Sequence, residues 1–128
     1  MNLMELRIPA GFAMYFNKFF DVEPEPDIDT EDFLKNWDYF TEDILHIIKL
    51  EYTNGKMCIP TEGEESIIID LGWYPDSSPE GEYALQIVKN NGYWDVLKEK
   101  RTKNRFDIKE TLEEWLELLS SNPEWLKK

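Results

Sequence analysis

Residues 66–99 leave this chain few folds to adopt. Ser66–Tyr74 (SIIIDLGWY) is its richest β-branched run, and Pro75, Pro79 and Gly81 then impose a loop. Glu82–Lys89 alternates, with Tyr83, Leu85 and Ile87 set against Glu82 and Gln86, and Asn90-Asn91-Gly92 turns tightly into Tyr93–Lys98. Three successive strands with connections this short pair antiparallel, because a parallel crossover needs a dozen residues or more. An antiparallel meander over residues 66–99 is therefore the predicted centre of the fold.

Such a sheet needs cover on at least one face. The C-terminal segment supplies it: Ile108, Leu112, Trp115, Leu116 and Leu119 fall at i, i+4, i+7, i+8 and i+11, one apolar stripe of an amphipathic helix. Asp107 and Glu110 have capping-box spacing at its start. Further strands are predicted at Leu3–Ile8, in the aromatic run 11–20 and at 44–52, where Asn54-Gly55 turns the chain back through Met57, Cys58 and Ile59. Residues 21–32 hold two prolines and seven carboxylates and are predicted to be a solvated loop. Asp29 or Thr30 then caps a short helix near 30–40, with Phe33, Leu34, Trp37 and Phe40 at helical spacing. The expected architecture is α+β, a single domain over residues 1–128.

Composition narrows the function. Among 128 residues 41% are hydrophobic and 14% aromatic, enough for a core despite a net charge of −13. That charge is repelled by phosphate backbones and anionic membranes and attracted to basic proteins. No nucleic acid and no membrane is expected as a direct partner. No apolar run approaches the roughly 20 residues of a membrane span. Met1–Arg7 does not read as a signal peptide, and the single cysteine suits a reducing compartment, so the expected location is cytoplasmic.

Catalytic signatures are sparse. The single histidine, His46, rules out a two-histidine metal site and removes the usual base for a Ser or Cys nucleophile. In its apolar surroundings it reads as structural, and Cys58 reads as a buried, inert thiol. No Gly-rich phosphate loop or dinucleotide fingerprint is present. Asp27, Asp29 and Glu31 alternate like part of a calcium loop, but the sixth place, which needs glycine, holds Asp32, although the twelfth, Asp38, is acidic. The expectation is no enzyme, no cofactor and no metal. A carboxylate-dependent enzyme stays open as an alternative, since carboxylates distant in sequence can meet in space.

The placement of charge says more than its sum. Asp21–Glu82 holds 18 acidic and three basic residues, a net −15, which leaves the rest of the chain at +2. Lys98, Lys100, Arg101, Lys103 and Arg105 crowd together before the last helix and are expected to be solvated or to pair with the acidic loop. Clustered acid beside aromatic side chains fits a recognition surface: charge speeds encounter and an aromatic anchor supplies affinity. Glu23, Glu25, Asp27 and Asp29 are the candidate steering residues, Asp76, Glu80 and Glu82 the candidates to meet Lys or Arg of a partner, and Asp70 a flanking acidic member of the same partner-binding surface. Trp73 and Tyr74 are candidate anchors, with sheet core as the equal alternative.

The stretch Ile68–Tyr83 (IIDLGWYPDSSPEGEY), with Tyr15–Pro24, Tyr93–Val96 and the closing helix, resembles bacterial immunity proteins paired with contact-dependent growth-inhibition and related polymorphic toxins. The resemblance implies a cytosolic inhibitor that binds the toxic C-terminal domain of a delivered protein and blocks its active site or another essential surface. Such toxin domains are frequently nucleases, hence basic, and an acidic inhibitor would mimic the phosphate backbone. The expected function is neutralisation of a cognate basic toxin by stoichiometric binding. An acidic adaptor or a nucleic-acid mimic is the alternative binding class.

Overall fold

The computed structural model describes residues 2–60, 65–122 and 125–126. Its main sheet has five antiparallel strands in the order β1 (Phe12–Asn17), β2 (Leu45–Lys49), β5 (Ser66–Tyr74), β6 (Glu82–Asn90) and β7 (Trp94–Thr102). A small hairpin, β3 (Glu51–Thr53) and β4 (Lys56–Cys58), stands apart from it. One helix, α1 (Arg105–Ser121), follows β7. The fold is α+β, and β5–β6–β7 is the meander anticipated from turn chemistry and alternation.

Alternation puts one set of side chains under the helix. Leu45 and Ile47 from β2, Ile69, Leu71 and Trp73 from β5, and Tyr83, Leu85 and Ile87 from β6 form the core with Ile108, Leu112, Trp115, Leu116 and Leu119 of α1. Complete burial of a side chain of this size contributes about 1.5–3 kcal/mol, so this layer dominates the stability. Phe40 and Tyr83 extend it by both meeting the Trp73 ring edge-on, with centroids 4.8 and 5.0 Å from it. The opposite side of the sheet carries Ile48, Ile68 and Val88 as a second, smaller apolar cluster.

Several local expectations give way to tertiary bonding. Leu3–Ile8 is not a strand: it makes one isolated bridge, Leu3 to Phe20, and buries Met4 with Leu6 and Ile8 against the core. The 44–52 run is interrupted at Leu50, whose N–H turns to the Gly11 carbonyl. The helix cap is Asn104, whose side chain accepts from the N–H groups of Phe106 and Asp107, so α1 begins earlier than the Asp107–Glu110 spacing suggests. Cys58 is exposed rather than buried, because the β3–β4 hairpin pairs only with itself and leaves Met57 and Ile59 exposed too. Its turn is as predicted, with Asn54 (φ 53°) and Gly55 (φ 79°) both left-handed.

The largest departure is at residues 30–40, where only a single 3-10 turn, Trp37–Tyr39, forms. The backbone donors that a helix would use internally are spent elsewhere: Leu34 N–H donates to the Ser77 carbonyl and Lys35 N–H to the Glu25 carbonyl. The Asn36 side chain donates to the Glu23 carbonyl and accepts from the Glu25 N–H. Pro26 and Leu34 form an isolated antiparallel bridge. The acidic segment thus folds back on residues 34–36 as a cross-linked loop.

Candidate partner-binding surface

The two acidic segments singled out by sequence are brought together. Ser77, buried and left-handed (φ 62°), accepts from Leu34 N–H and donates its own N–H to the Phe40 carbonyl. Asp76 Oδ2 accepts from the Glu42 N–H at 3.0 Å, and Asp76 Oδ1 accepts from the Ser77 hydroxyl. On the far side of the 75–81 loop, the Trp73 indole N–H donates to the Ser78 carbonyl at 2.8 Å. Loop 21–36 and loop 75–81 are therefore one continuous surface fixed to the end of the sheet.

That surface exposes large apolar side chains. Phe33 is 54% exposed, Trp37 52% and Ile28 99%. Phe33, Trp37 and Ser77 line an open hollow of about 280 Å³. This lies below the roughly 300–1,000 Å³ of small-molecule clefts, yet it can seat a side chain from another protein. Glu25, Asp27, Asp29, Glu31 and Asp32 share a loop with these apolar groups, and among the described residues none of them pairs with Lys or Arg. A larger groove of about 460 Å³, between Arg7–Pro9 and α1, has its Glu113 carboxylate occupied by the Arg7 N–H and Lys109.

The predicted site residues separate into four groups. Glu25, Asp27, Asp29, Asp76 and Glu80 lie on the joined loops. Glu23 and Glu82 are engaged by their own chain: Arg105 binds Asp21 (2.7 Å) and Glu23, and Arg101 lies 3.6 Å from Glu82. Asp70 and Tyr74 sit on the sheet face opposite α1. Trp73 is 1% exposed and belongs to the core, which removes it as an anchor. The exposed aromatic side chains missed by sequence are Phe33 and Trp37, which the helical spacing places on the buried side of a helix that does not form. The signal that could have found them is the acid on either side, since carboxylates at Glu31, Asp32 and Asp38 cannot share a buried face.

The sheet face opposite α1 carries a second grouping. The strand registers place Phe16, His46, Asp70, Gln86 and Glu99 in one row across all five strands. His46 stacks under Tyr15, with ring centroids 5.3 Å apart, and its Nδ1 stands 4.0 Å from Asp70 Oδ1. Gln86 and Arg101 both donate to Glu99, at 2.6 and 3.0 Å. Asp70 is only 14% exposed, and among the described residues no hydrogen bond reaches its carboxylate. Burial, aided by the Asp43 carboxylate, pushes the Asp70 pKa up to about 6 from 3.8. Burial lowers His46, with Asp43 opposing. Tyr74 is raised by burial and then by the Asp70, Glu42 and Asp43 carboxylates.

The Asp70 shift has a definite sign for stability. A carboxyl that holds its proton more tightly when folded favours the native state below pH 3.8, and that contribution is lost as pH rises through about 6. Asp70→Asn is therefore expected to stabilise the protein by about 1 kcal/mol at pH 8 and by nothing measurable at pH 4, the gain being discounted for partial solvent access. His46 acts oppositely, losing stability as pH falls below 6.5, but both proteins retain it. Urea unfolding of the two proteins at both pH values measures the difference, and equal stability at pH 8 would contradict it.

Among the described residues no three His, Cys, Asp or Glu side chains converge on a metal-sized site. No described helix is long and apolar enough to cross a membrane. Compared with protein families, curated proteins and solved structures, the chain matches none.

Proposed function

We propose that this protein is a stoichiometric inhibitor of the immunity type, binding a cognate basic toxin domain, of which a nuclease is the foremost class. The observation that carries this reading is the union of two acidic loops around the exposed Phe33 and Trp37. Partner-binding surfaces combine aromatic side chains at the centre with a charged, solvated rim, and most of the affinity comes from a few such aromatics. The carboxylates of residues 25–32, which pair with no Lys or Arg among the described residues, supply the attraction. Their field would accelerate encounter with a positively charged domain, and the apolar hollow would then hold it. A nuclease cleft, built to grip phosphates, carries the complementary positive charge.

The test is co-expression of the tagged protein with the polypeptide encoded immediately upstream of it, followed by capture at low and high salt and a growth assay. Retention of a basic C-terminal fragment with rescue of growth is expected. Absence of both would overturn the reading and leave an acidic adaptor. Charge dependence is tested with Glu25→Lys, Asp29→Lys and Glu80→Lys, exposed carboxylates that form no ion pair with Lys or Arg among the described residues. Asp76 is unsuitable because it holds the Glu42 N–H in place. The triple reversal is expected to slow association by about tenfold or more at low salt and remove most of its salt dependence.

A further inference from the structure

The Asp70 row of the sheet lies outside the joined loops, and among the described residues its central carboxylate has no Lys or Arg partner. Asp70 lies in the central strand, mostly buried, with no hydrogen-bond donor from the described residues; the His46 ring, stacked under Tyr15, keeps its Nδ1 4.0 Å away, beyond hydrogen-bond distance. A carboxylate in this setting is costly to the free protein, and what it lacks is a donor carrying positive charge. Arg101, on the same face, is bound to Glu99 and lies near Glu82. Tyr15 and Phe16, both exposed, flank the His46 ring at 5.3 and 5.8 Å and offer aromatic surface beside the carboxylate. With His46 neutral, Asp43, Asp70, Glu82 and Glu99 outweigh Arg101, so the face is negative.

We infer that the open sheet face is a second contact surface for the basic partner, receiving an arginine side chain whose guanidinium pairs with Asp70 and lies against Tyr15. This rests on the proposal that the partner is basic and adds where one of its arginines docks. Arginine suits the place better than lysine, because a planar guanidinium both stacks on an aromatic ring and pairs with a carboxylate. The charge complementarity is local: the Asp70 carboxylate, which among the described residues has no Lys or Arg partner and still reaches solvent in the free chain, gains a cationic donor in the complex. The stability that Asp70 costs the free chain is then recovered on binding, so one substitution acts in opposite directions on the two.

The probe is the tripeptide acetyl-Arg-Arg-Arg-amide, titrated at low salt and pH 7.5 while amide and side-chain NMR shifts are followed. Shifts at Tyr15, His46, Asp70 and Gln86 are expected, with about tenfold weaker binding to Asp70→Asn and little change for Trp37→Ala. Tyr15→Ala, an exposed position, serves as a second variant and is expected to weaken the same shifts. Shifts confined to residues 25–37, affinity unchanged by Asp70→Asn, or no shift at all would overturn the inference. Each of these is distinct from failure of the proposed function: capture of the co-expressed basic polypeptide by Asp70→Asn at wild-type strength would remove this contact and keep the inhibitor reading.

Discussion

Replacing Trp37 by alanine is expected to weaken binding of the basic partner by about 2 kcal/mol or more, roughly 30-fold in Kd. The same change is expected to lower the unfolding free energy by less than about 1 kcal/mol. Trp37 is the largest exposed side chain on the joined loops, and with Phe33 it walls the hollow beside Ser77. Because half of its surface already faces water, little packing is lost with the indole. The backbone bonds that shape the loop, from Leu34 to Ser77 and from Lys35 to Glu25, do not involve its side chain. Titration calorimetry on the captured complex, alongside urea unfolding, separates the two quantities. A Kd unchanged within about threefold would remove Trp37 from the interface.

Trp73 is expected to behave in the opposite way. Trp73→Ala should cost about 3–5 kcal/mol of stability, a large part of the roughly 5–15 kcal/mol available to a domain of this size. Three losses combine in it. The cavity lies among rings of Phe40 and Tyr83 that meet the indole edge-on. The indole N–H no longer ties Ser78, which loosens the 75–81 loop from the sheet. Gly81, which has no side chain because one would run into the Trp73 indole, would face an empty space. Urea unfolding measures the cost, and a loss below about 1 kcal/mol would contradict the packing described here. Partner binding is expected to weaken as well, because the loop that presents Asp76 and Glu80 loses its fastening.

The difference between these two tryptophans marks where sequence reasoning stopped. The meander was readable because its information is local: alternating side chains, the Asn91-Gly92 turn and the Pro- and Gly-bearing loop 75–81. The helix stripe was equally local, and all five residues assigned to it are buried. Whether Trp37 or Trp73 faces solvent depends on partners far along the chain. Leu34 finds Ser77, Phe40 finds Ser77, and Trp73 settles against Gly81 because the intervening loop returns there. The helical spacing of Phe33, Leu34, Trp37 and Phe40 was real, but only Leu34 and Phe40 are buried, each on its own side of a loop.

The candidate site was half readable for the same reason. Acid clustered in sequence is still clustered in space, so Glu25, Asp27, Asp29, Asp76 and Glu80 fall on one surface. Pairing of the basic run with the acidic loop was one of the two expectations for it, but which carboxylates it satisfies could not be read: Arg105 reaches back to Asp21 and Glu23 across more than 80 residues. The Asp70 row was invisible because it exists only through the register of five strands.

The joined loops as the partner-contacting surface are tested most directly by hydrogen–deuterium exchange on the protein alone and in complex with the captured basic polypeptide. The account predicts slowed exchange in residues 25–37 and 75–82, strongest around Trp37, with the solvent side of α1 unchanged. Protection confined to α1 or to the β3–β4 hairpin, with the two loops exchanging as in the free protein, would contradict it.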